Sequence, residues 1–340
     1  MINQRTLGRT GLKVSELCLG TMNFGWRTDE QKSFAILDAY REAGGNFIQA
    51  MGHCPAPIIP AASTTFSEQV VGRWWDSRAI LRSQLVLATR LKLGRIPDGV
   101  PMVKFAQDCV RQSLRRLKTT YLDLLVFEWS DSLLPMRETM EVFDTLMRSG
   151  LVRYIGAANF PAWRVVDAIG RAYQGNHCRM ETLQSDYSLM TRARFEPEAR
   201  SLCQDQRLGF LARSSLAGGF LARGNGLGER FNSSRHDWVE RRFGNPYGDA
   251  ALAAVSDVAA RHEASSAQIA LAWVLQNSAV TSAIVGVHSP TQLRELIGAG
   301  ELDLPKTDLA QLGDATAIET VQLAANDFAH QPYALDLSRI

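Results

Sequence analysis

Short apolar runs alternate with helical patterns along the whole chain, and the alternation predicts an α/β fold of the (β/α)8 barrel class. A doubly wound sheet shares that alternation, so two further observations separate them. No GxGxxG follows the first apolar run, and no shift in composition marks a second domain. The 340 residues, 46% of them hydrophobic, are read as one barrel domain over 1–340, with a hairpin in 1–16 and a tail over 318–340.

The elements follow in order. Arg5 to Leu7 and Leu12 to Val14, joined by Gly8-Arg9-Thr10-Gly11, read as a small hairpin. The first barrel strand is Leu17 to Gly20, followed by a helix from Thr28 to Ala43 with a Thr28/Gln31 capping box and Gly44 as its stop. Asn46-Phe47-Ile48 is the second strand, and it opens into a Pro-rich loop that runs to Phe66. A helix from Ser67 to Asp76 precedes strand three, Leu85 to Thr89; a helix over Pro101 to Lys118 precedes strand four, Tyr121 to Phe127. Then come the helix Pro135 to Ser149, strand five at Leu151 to Gly156, the helix Pro161 to Tyr173 and strand six at Met180 to Gln184. A helix over Glu196 to Gln206 leads to strand seven, Gly209 to Ala212. Ser214 to Asn245 reads as a Gly/Ser-rich loop, before helices at Gly248 to Glu263 and Ser266 to Gln276. Strand eight, Thr281 to Val285, runs into a helix from Pro290 to Ala299.

Bulk properties narrow the function. A formal net charge of +2, from 37 basic and 35 acidic residues, gives no long-range field for nucleic acid or a membrane surface. The expected partner is a small molecule, with an anion among the candidates; the sequence does not set the oligomeric state. MINQRTLGRTGLKV has no apolar signal core, and no apolar run reaches membrane-spanning length, so the expected location is cytoplasmic. Five cysteines without CxxC spacing argue against a disulfide framework and a zinc site, and Cys18, Cys109 and Cys203 read as small buried hydrophobes. No metal is expected.

In a barrel the site is the ring of residues at the C-terminal strand ends: here Gln49, Thr89 and Arg90, Glu128, Ala158 and Asn159, Gln184, Arg213 and Gly286. Several segments resemble those of the aldo-keto reductase family. They are LGRTGLKVSELCLGTMNFG at 7–25, SLRRLKTTYLDLL at 113–125, GLVRYIGAANFPAW at 150–163, LQSDYSLMTR at 183–192, SSLAGGFL at 214–221 and AQIALAWVLQNSAVTSAIVG at 267–286. The resemblance implies a barrel without a Rossmann domain, NADP(H) lying across the strand ends, and hydride reduction of a carbonyl or similar acceptor.

That family works with an Asp, a Tyr five positions on, a Lys and a His. In this sequence those positions hold Gln49, Cys54, Arg90 and Glu128, so all four are changed. Arg90 and Glu128, expected on neighbouring strands, are candidates for a neutral pair, which would be a poor proton relay, since an Arg cannot be deprotonated. A thiol at Cys54 is a shorter and weaker hydrogen-bond donor than a phenol. Positioned acid catalysis contributes roughly 10²- to 10⁴-fold, so ordinary ketone reduction is expected to be slow.

The resemblance also implies the cofactor groups. Asn159 and Gln184 match the positions that hold the nicotinamide carboxamide, with Ala158 where a Ser is usual; Arg213 replaces an aromatic that stacks on the ring. Ser214, Leu216, Gly219 and Leu221 keep the diphosphate loop; at the 2'-phosphate site His288 stands for the usual basic residue, Ser289 and Gln292 fit, and Leu296 replaces an Asn. Weakened NADP(H) binding is the expectation. Plainer readings stand beside these: Arg90 with Glu128 as a structural plug, Arg90 with Arg213 as an anion site, Lys92 as a displaced lysine, His53 beside Cys54 as accidental neighbours, and Pro55 to Ala62 as an apolar pocket wall. The sequence thus predicts an NADP(H)-linked reductase of a small carbonyl or imine with a non-standard site. The alternatives are a cofactor-independent lyase, isomerase or cyclase using Glu128 and Arg90, and an inactive barrel that binds a ligand or partner.

Overall fold

A computed structural model of the chain describes residues 1–52, 61–92, 96, 98–128, 135–175, 177–223 and 234–317, with backbone alone at 61–65, 234 and 235. Strands β1 (Gln4–Thr6) and β2 (Lys13–Ser15) form the antiparallel hairpin, with Arg5 opposite Val14. Eight parallel strands then close a barrel: β3 (Leu17–Gly20), β4 (Phe47–Met51), β5 (Val86–Leu91), β6 (Leu122–Glu128), β7 (Val152–Ala158), β8 (Met180–Asp186), β9 (Gly209–Arg213) and β10 (Val280–Val285). They pair in sequence order, and β10 closes the ring between β9 and β3. This is the (β/α)8 architecture the alternation predicts.

The helices are α1 (Glu30–Glu42), α2 (Ala61–Ser77), α3 (Met102–Arg116), α4 (Met136–Arg148), α5 (Ala162–Gly175), α6 (Ala199–Gln206), α7 (Ser234–Phe243), α8 (Pro246–Arg261), α9 (Ser266–Gln276), α10 (Pro290–Ile297) and α11 (Lys306–Ala315). Alternate residues of each strand point in and out. One apolar cluster, including Cys18, Phe47, Ala88, Leu124, Val126 and Leu211, is separate from the larger core between strands and helices. Leu7 and Val14 of the hairpin belong to that cluster. Gly8, in the hairpin turn at φ +51, sits so close to Gly209 N and Glu181 O that a Cβ would lie 2.7 and 2.8 Å from them. The hairpin is therefore the floor at the N-terminal end of the barrel, and the C-terminal end is the mouth.

Some boundaries differ from expectation. α1 is capped by Asp29, whose side chain accepts from Lys32 N at 2.8 Å; the hydroxyl of Thr28 is paired with His288 Nδ1 instead. α2 starts at Ala61, within the stretch expected as loop. The expected loop from Ser214 to Asn245 contains a 3-10 segment, Ala217–Ala222, and α7. In α7 only a sparse apolar set (Trp238, Val239, Phe243) meets the core among many charges, so its periodicity was hidden. α11 was not anticipated; it packs on α8, where Asp308 receives hydrogen bonds from Arg261 at 2.7 Å and pairs with His262 at 2.6 Å. Cys18 and Cys203 are buried free thiols, but Cys109, expected to be the same, is disulfide-bonded. Cys54, His53 and the tail over 318–340 lie outside the described residues. No helix among the described residues is long and apolar enough to cross a membrane.

Gly72 of α2 marks a close helix approach. A Cβ there would lie 2.2 Å from Arg116 O and 2.9 Å from Leu117 C, both rigid backbone at the end of α3. Gly72→Ala must push α2 away from α3. We expect a loss of about 1–3 kcal/mol in urea unfolding, as in other overpacked sites; an unchanged midpoint would show that the helices can part freely.

Candidate active site at the barrel mouth

Parallel pairing places the polar residues of the mouth. Arg90 of β5 lies opposite Val126 of β6, so Glu128, two residues on and on the same inward face, comes within reach of its guanidinium. Glu128 in turn is opposite Ala158, the last residue of β7, and Asp186 of β8 is opposite Arg213 of β9. Four strand ends thus bring two cations and two carboxylates to one rim.

They are joined in a single run. Arg90 Nη2 makes a very short ion pair with Glu128 Oε2. Asn159 Nδ2 donates to Glu128 Oε1 at 3.2 Å, and Asn159 Oδ1 accepts from Arg213 Nη2 at 3.3 Å. Arg213 Nε donates to Asp186 Oδ1 at 2.7 Å. Asn159 is held for this bridging role by a left-handed backbone, φ +59, and by its own N–H, which donates to Gln184 O at 3.0 Å. Asn tolerates that region better than most residues.

Most of the network is dry. The side chains of Arg90 and Glu128 are 11% and 16% exposed, and that of Asp186 is 4% exposed, so their charges depend on one another. Burial holds the Arg90 guanidinium below its ordinary value, the Glu128 carboxylate opposes this, and the like charge of Arg213 adds to it. Burial raises the Asp186 carboxyl, but the charge and hydrogen bond of Arg213 outweigh it, and the net shift is downward. Arg90 Nε is buried with no hydrogen-bond partner among the described residues. An unsatisfied buried donor costs about 1–3 kcal/mol.

Beside the run, Gln49 and Gln184 reach across the barrel from β4 and β8. Gln49 Nε2 donates to Gln184 Oε1 at 2.9 Å, and Gln184 Nε2 donates to Gln49 Oε1 at 3.2 Å. Behind β5, Thr89 donates to the fully buried Glu68 at 2.7 Å, and Arg116 holds the other Glu68 oxygen at 2.7 Å. Burial raises the Glu68 carboxyl against that pairing.

The structure thus gathers five of the expected residues, Gln49, Arg90, Glu128, Asn159 and Gln184, with Arg213 as the sixth. Asp186 and the Glu68 layer were missed. Asp186 had a signal, because it lies two positions beyond Gln184 and so faces the same way. Lys92 is exposed and outside the network. Ser214, Leu216 and Gly219 sit in a tight turn after β9. Ala217 N donates to Ser214 O at 2.7 Å and Gly219 N to Leu216 O at 2.9 Å, with left-handed φ at 214, 217, 218 and 219. A Cβ on Gly219 would meet nothing within 4 Å, so a ligand can approach this backbone closely.

His288, Ser289 and Gln292 engage one another at the start of α10. Ser289 Oγ accepts from Gln292 N at 3.2 Å, and Gln292 Oε1 accepts from His288 N at 2.8 Å. The His288 ring meets Thr28. Ser289 and Gln292 therefore serve as a helix cap in this structure. Among the described residues, no group of three or more His, Cys, Asp or Glu could hold a metal ion.

Known proteins are similar over nearly the whole chain. The profile of the Aldo/keto reductase family matches residues 16–317. A protein named uncharacterized oxidoreductase YrpG of Bacillus subtilis (strain 168) is 35% identical over 321 residues, covering 91% of this chain and 94% of that protein. Protein tas of Escherichia coli (strain K12) is 30% identical over 329 residues, covering 89% and 94%. Norsolorinic acid reductase of Aspergillus flavus is 28% identical over 322 residues, covering 90% and 78%.

The buried pair sets an expectation for stability. Arg90→Met or Glu128→Leu alone leaves one charge without its partner and should cost about 3–5 kcal/mol in urea unfolding. The double variant removes both charges and should recover most of that loss. Additive losses would mean that the two side chains do not depend on each other.

Proposed function

The chain belongs to the aldo/keto reductase family, and on that premise we propose that it is an NADP(H)-linked reductase of small carbonyl compounds. In this reading the Arg90 guanidinium takes over stabilisation of the oxygen. The observation that carries it is the Arg90 Nε–H, buried in the mouth without an acceptor among the described residues. A carbonyl oxygen that gains negative charge is stabilised by such a donor in a dry, preorganised site. Glu128 keeps the guanidinium in place and the local charge neutral. An imine is the poorer substrate here, because its protonated form is a cation facing Arg90 and Arg213.

Members of the family generally use NADP(H), which when bound supplies the hydride. On the side of the diphosphate the residues fit it: the turn from Ser214 to Gly219 has left-handed backbone and open space over Gly219. Asn159 and Gln184 would hold the carboxamide. Gln184 would first exchange its two bonds to Gln49, and Asn159 its bonds to Glu128 and Arg213. His288, Ser289 and Gln292 would face the 2'-phosphate only by giving up capping contacts. Binding weaker than that of a site with free amides follows.

The same amide contacts favour a second reading, a barrel without redox activity that binds a ligand or partner at its mouth. Both amide ends of Gln184 and of Asn159 are already satisfied by protein groups. A cofactor-free reaction with Glu128 as base is less well supported, since both Glu128 oxygens are engaged, by Arg90 and Asn159.

Steady-state oxidation of NADPH with a panel of activated carbonyls and cyclic imines separates these readings. The reductase reading expects turnover of carbonyls ahead of imines, and Arg90→Met should lower kcat/KM by roughly 10²- to 10³-fold, the usual cost of one lost oxyanion donor. Arg90→Lys should retain part of the rate, because it keeps a cationic donor. Carbonyl turnover that Arg90→Met leaves unchanged would refute the role of Arg90. No turnover with any member of the panel would favour the silent barrel.

A further inference from the structure

The opposite end of the barrel carries a second feature, unrelated to the mouth. Two adjoining open surface grooves, about 580 and 440 Å³, lie where α3 ends and where β6 and β7 begin, and both are lined by Thr120. One is bordered by Arg111, Arg115 and Lys118. The other is bordered by Tyr121, Met147, Arg153 and Tyr154.

The charge here is unusual for a chain with a formal net charge of +2. Lys118 is paired with Asp76 at 2.5 Å, while Asp123 holds both Arg82 at 2.7 Å and Arg153 at 3.2 Å. Arg111 and Arg115 have no ion pair with any described carboxylate, although both are exposed and free to swing. Five cations against two paired carboxylates leave an excess of three positive charges on one small face. Basic residues complement the C-terminal dipole of α3, but the last turn needs no more than one or two for that.

The aromatic end is more ordered. The Tyr121 ring lies between two guanidiniums, Arg82 at 4.1 Å from its centroid and Arg153 at 4.0 Å. Arg82 is largely covered, whereas the Arg153 side chain is 51% exposed. Tyr121 and Asp123 therefore hold a half-exposed guanidinium in place. Its plane is a stacking surface for a flat heterocycle. The neighbouring Arg111, Arg115 and Lys118 offer donors suited to phosphate oxygens.

We propose that the two grooves form one binding site for a nucleoside phosphate, the base stacked on Arg153 and the phosphates held by Arg111, Arg115 and Lys118. The site lies away from the mouth and is independent of the reductase reading. Its affinity falls with added salt, because exposed cations carry much of the attraction.

Calorimetric titration of the full chain with ADP, pyrophosphate and adenosine tests it. ADP is expected to bind more tightly than pyrophosphate or adenosine. Arg111→Ser/Arg115→Ser should weaken ADP and pyrophosphate at least tenfold and leave the urea-unfolding midpoint as in the parent. Arg153→Ala should weaken ADP severalfold and leave pyrophosphate unchanged; Asp123 keeps Arg82, so this variant stays folded. The proposal fails if ADP does not bind at millimolar concentration. It also fails if the Arg111/Arg115 variant binds ADP like the parent, which places ADP elsewhere. Pyrophosphate binding as tightly as ADP, with Arg153→Ala without effect, would overturn the assignment of a nucleoside.

Discussion

The ion pair between Arg90 and Glu128 is the interaction on which the barrel mouth depends. Two largely desolvated charges at neighbouring strand ends cannot be changed separately, and Asn159 and Arg213 extend the dependence to Asp186 on the far side. The result is a rim with two positive and two negative groups and no net charge. Every carboxylate oxygen of Glu128 is used, so the network can fix a guanidinium in space but has little capacity to move protons. The chemistry it suits is stabilisation of a charge that develops on a bound molecule, by a group that does not itself ionise.

The fold was legible because its signals are local and repeated. β3 lies at the four residues from which it was read, Leu17–Gly20, and the Ser265 capping box starts α9 at the expected Ser266. The failures were equally local. The α1 cap fell to Asp29 because the first-turn N–H of Lys32 lies nearer its carboxylate, leaving Thr28 for His288. α7 was lost among charges, and the disulfide at Cys109 was not readable from scattered cysteines.

The site was legible in part, for a different reason. Strand ends can be counted from sequence, and inward alternation placed Gln49, Arg90, Glu128 and Gln184 on one rim. What counting does not supply is partnership across the barrel. Gln49 and Gln184 are separated by 135 residues and lie on strands that are not neighbours, yet each donates to and accepts from the other. Asp186 was reachable by the same alternation that found Gln184, and its pairing with Arg213 explains how a cation is tolerated there. The residues expected at a 2'-phosphate show the converse, since Ser289 and Gln292 have a sufficient local reason for their identity as a helix cap.

The central claim is that the mouth still accepts a reduced nicotinamide cofactor although Arg213 stands where the resemblance places the ring. Calorimetric titration of the same protein with NADPH and with NADP+ tests it most directly, without a known substrate. A guanidinium at the ring disfavours the oxidised form, which carries a positive charge. The account predicts micromolar NADPH binding, about −8 kcal/mol, with NADP+ at least tenfold weaker. NADP+ binding as tight as NADPH, or no binding of either, would contradict it.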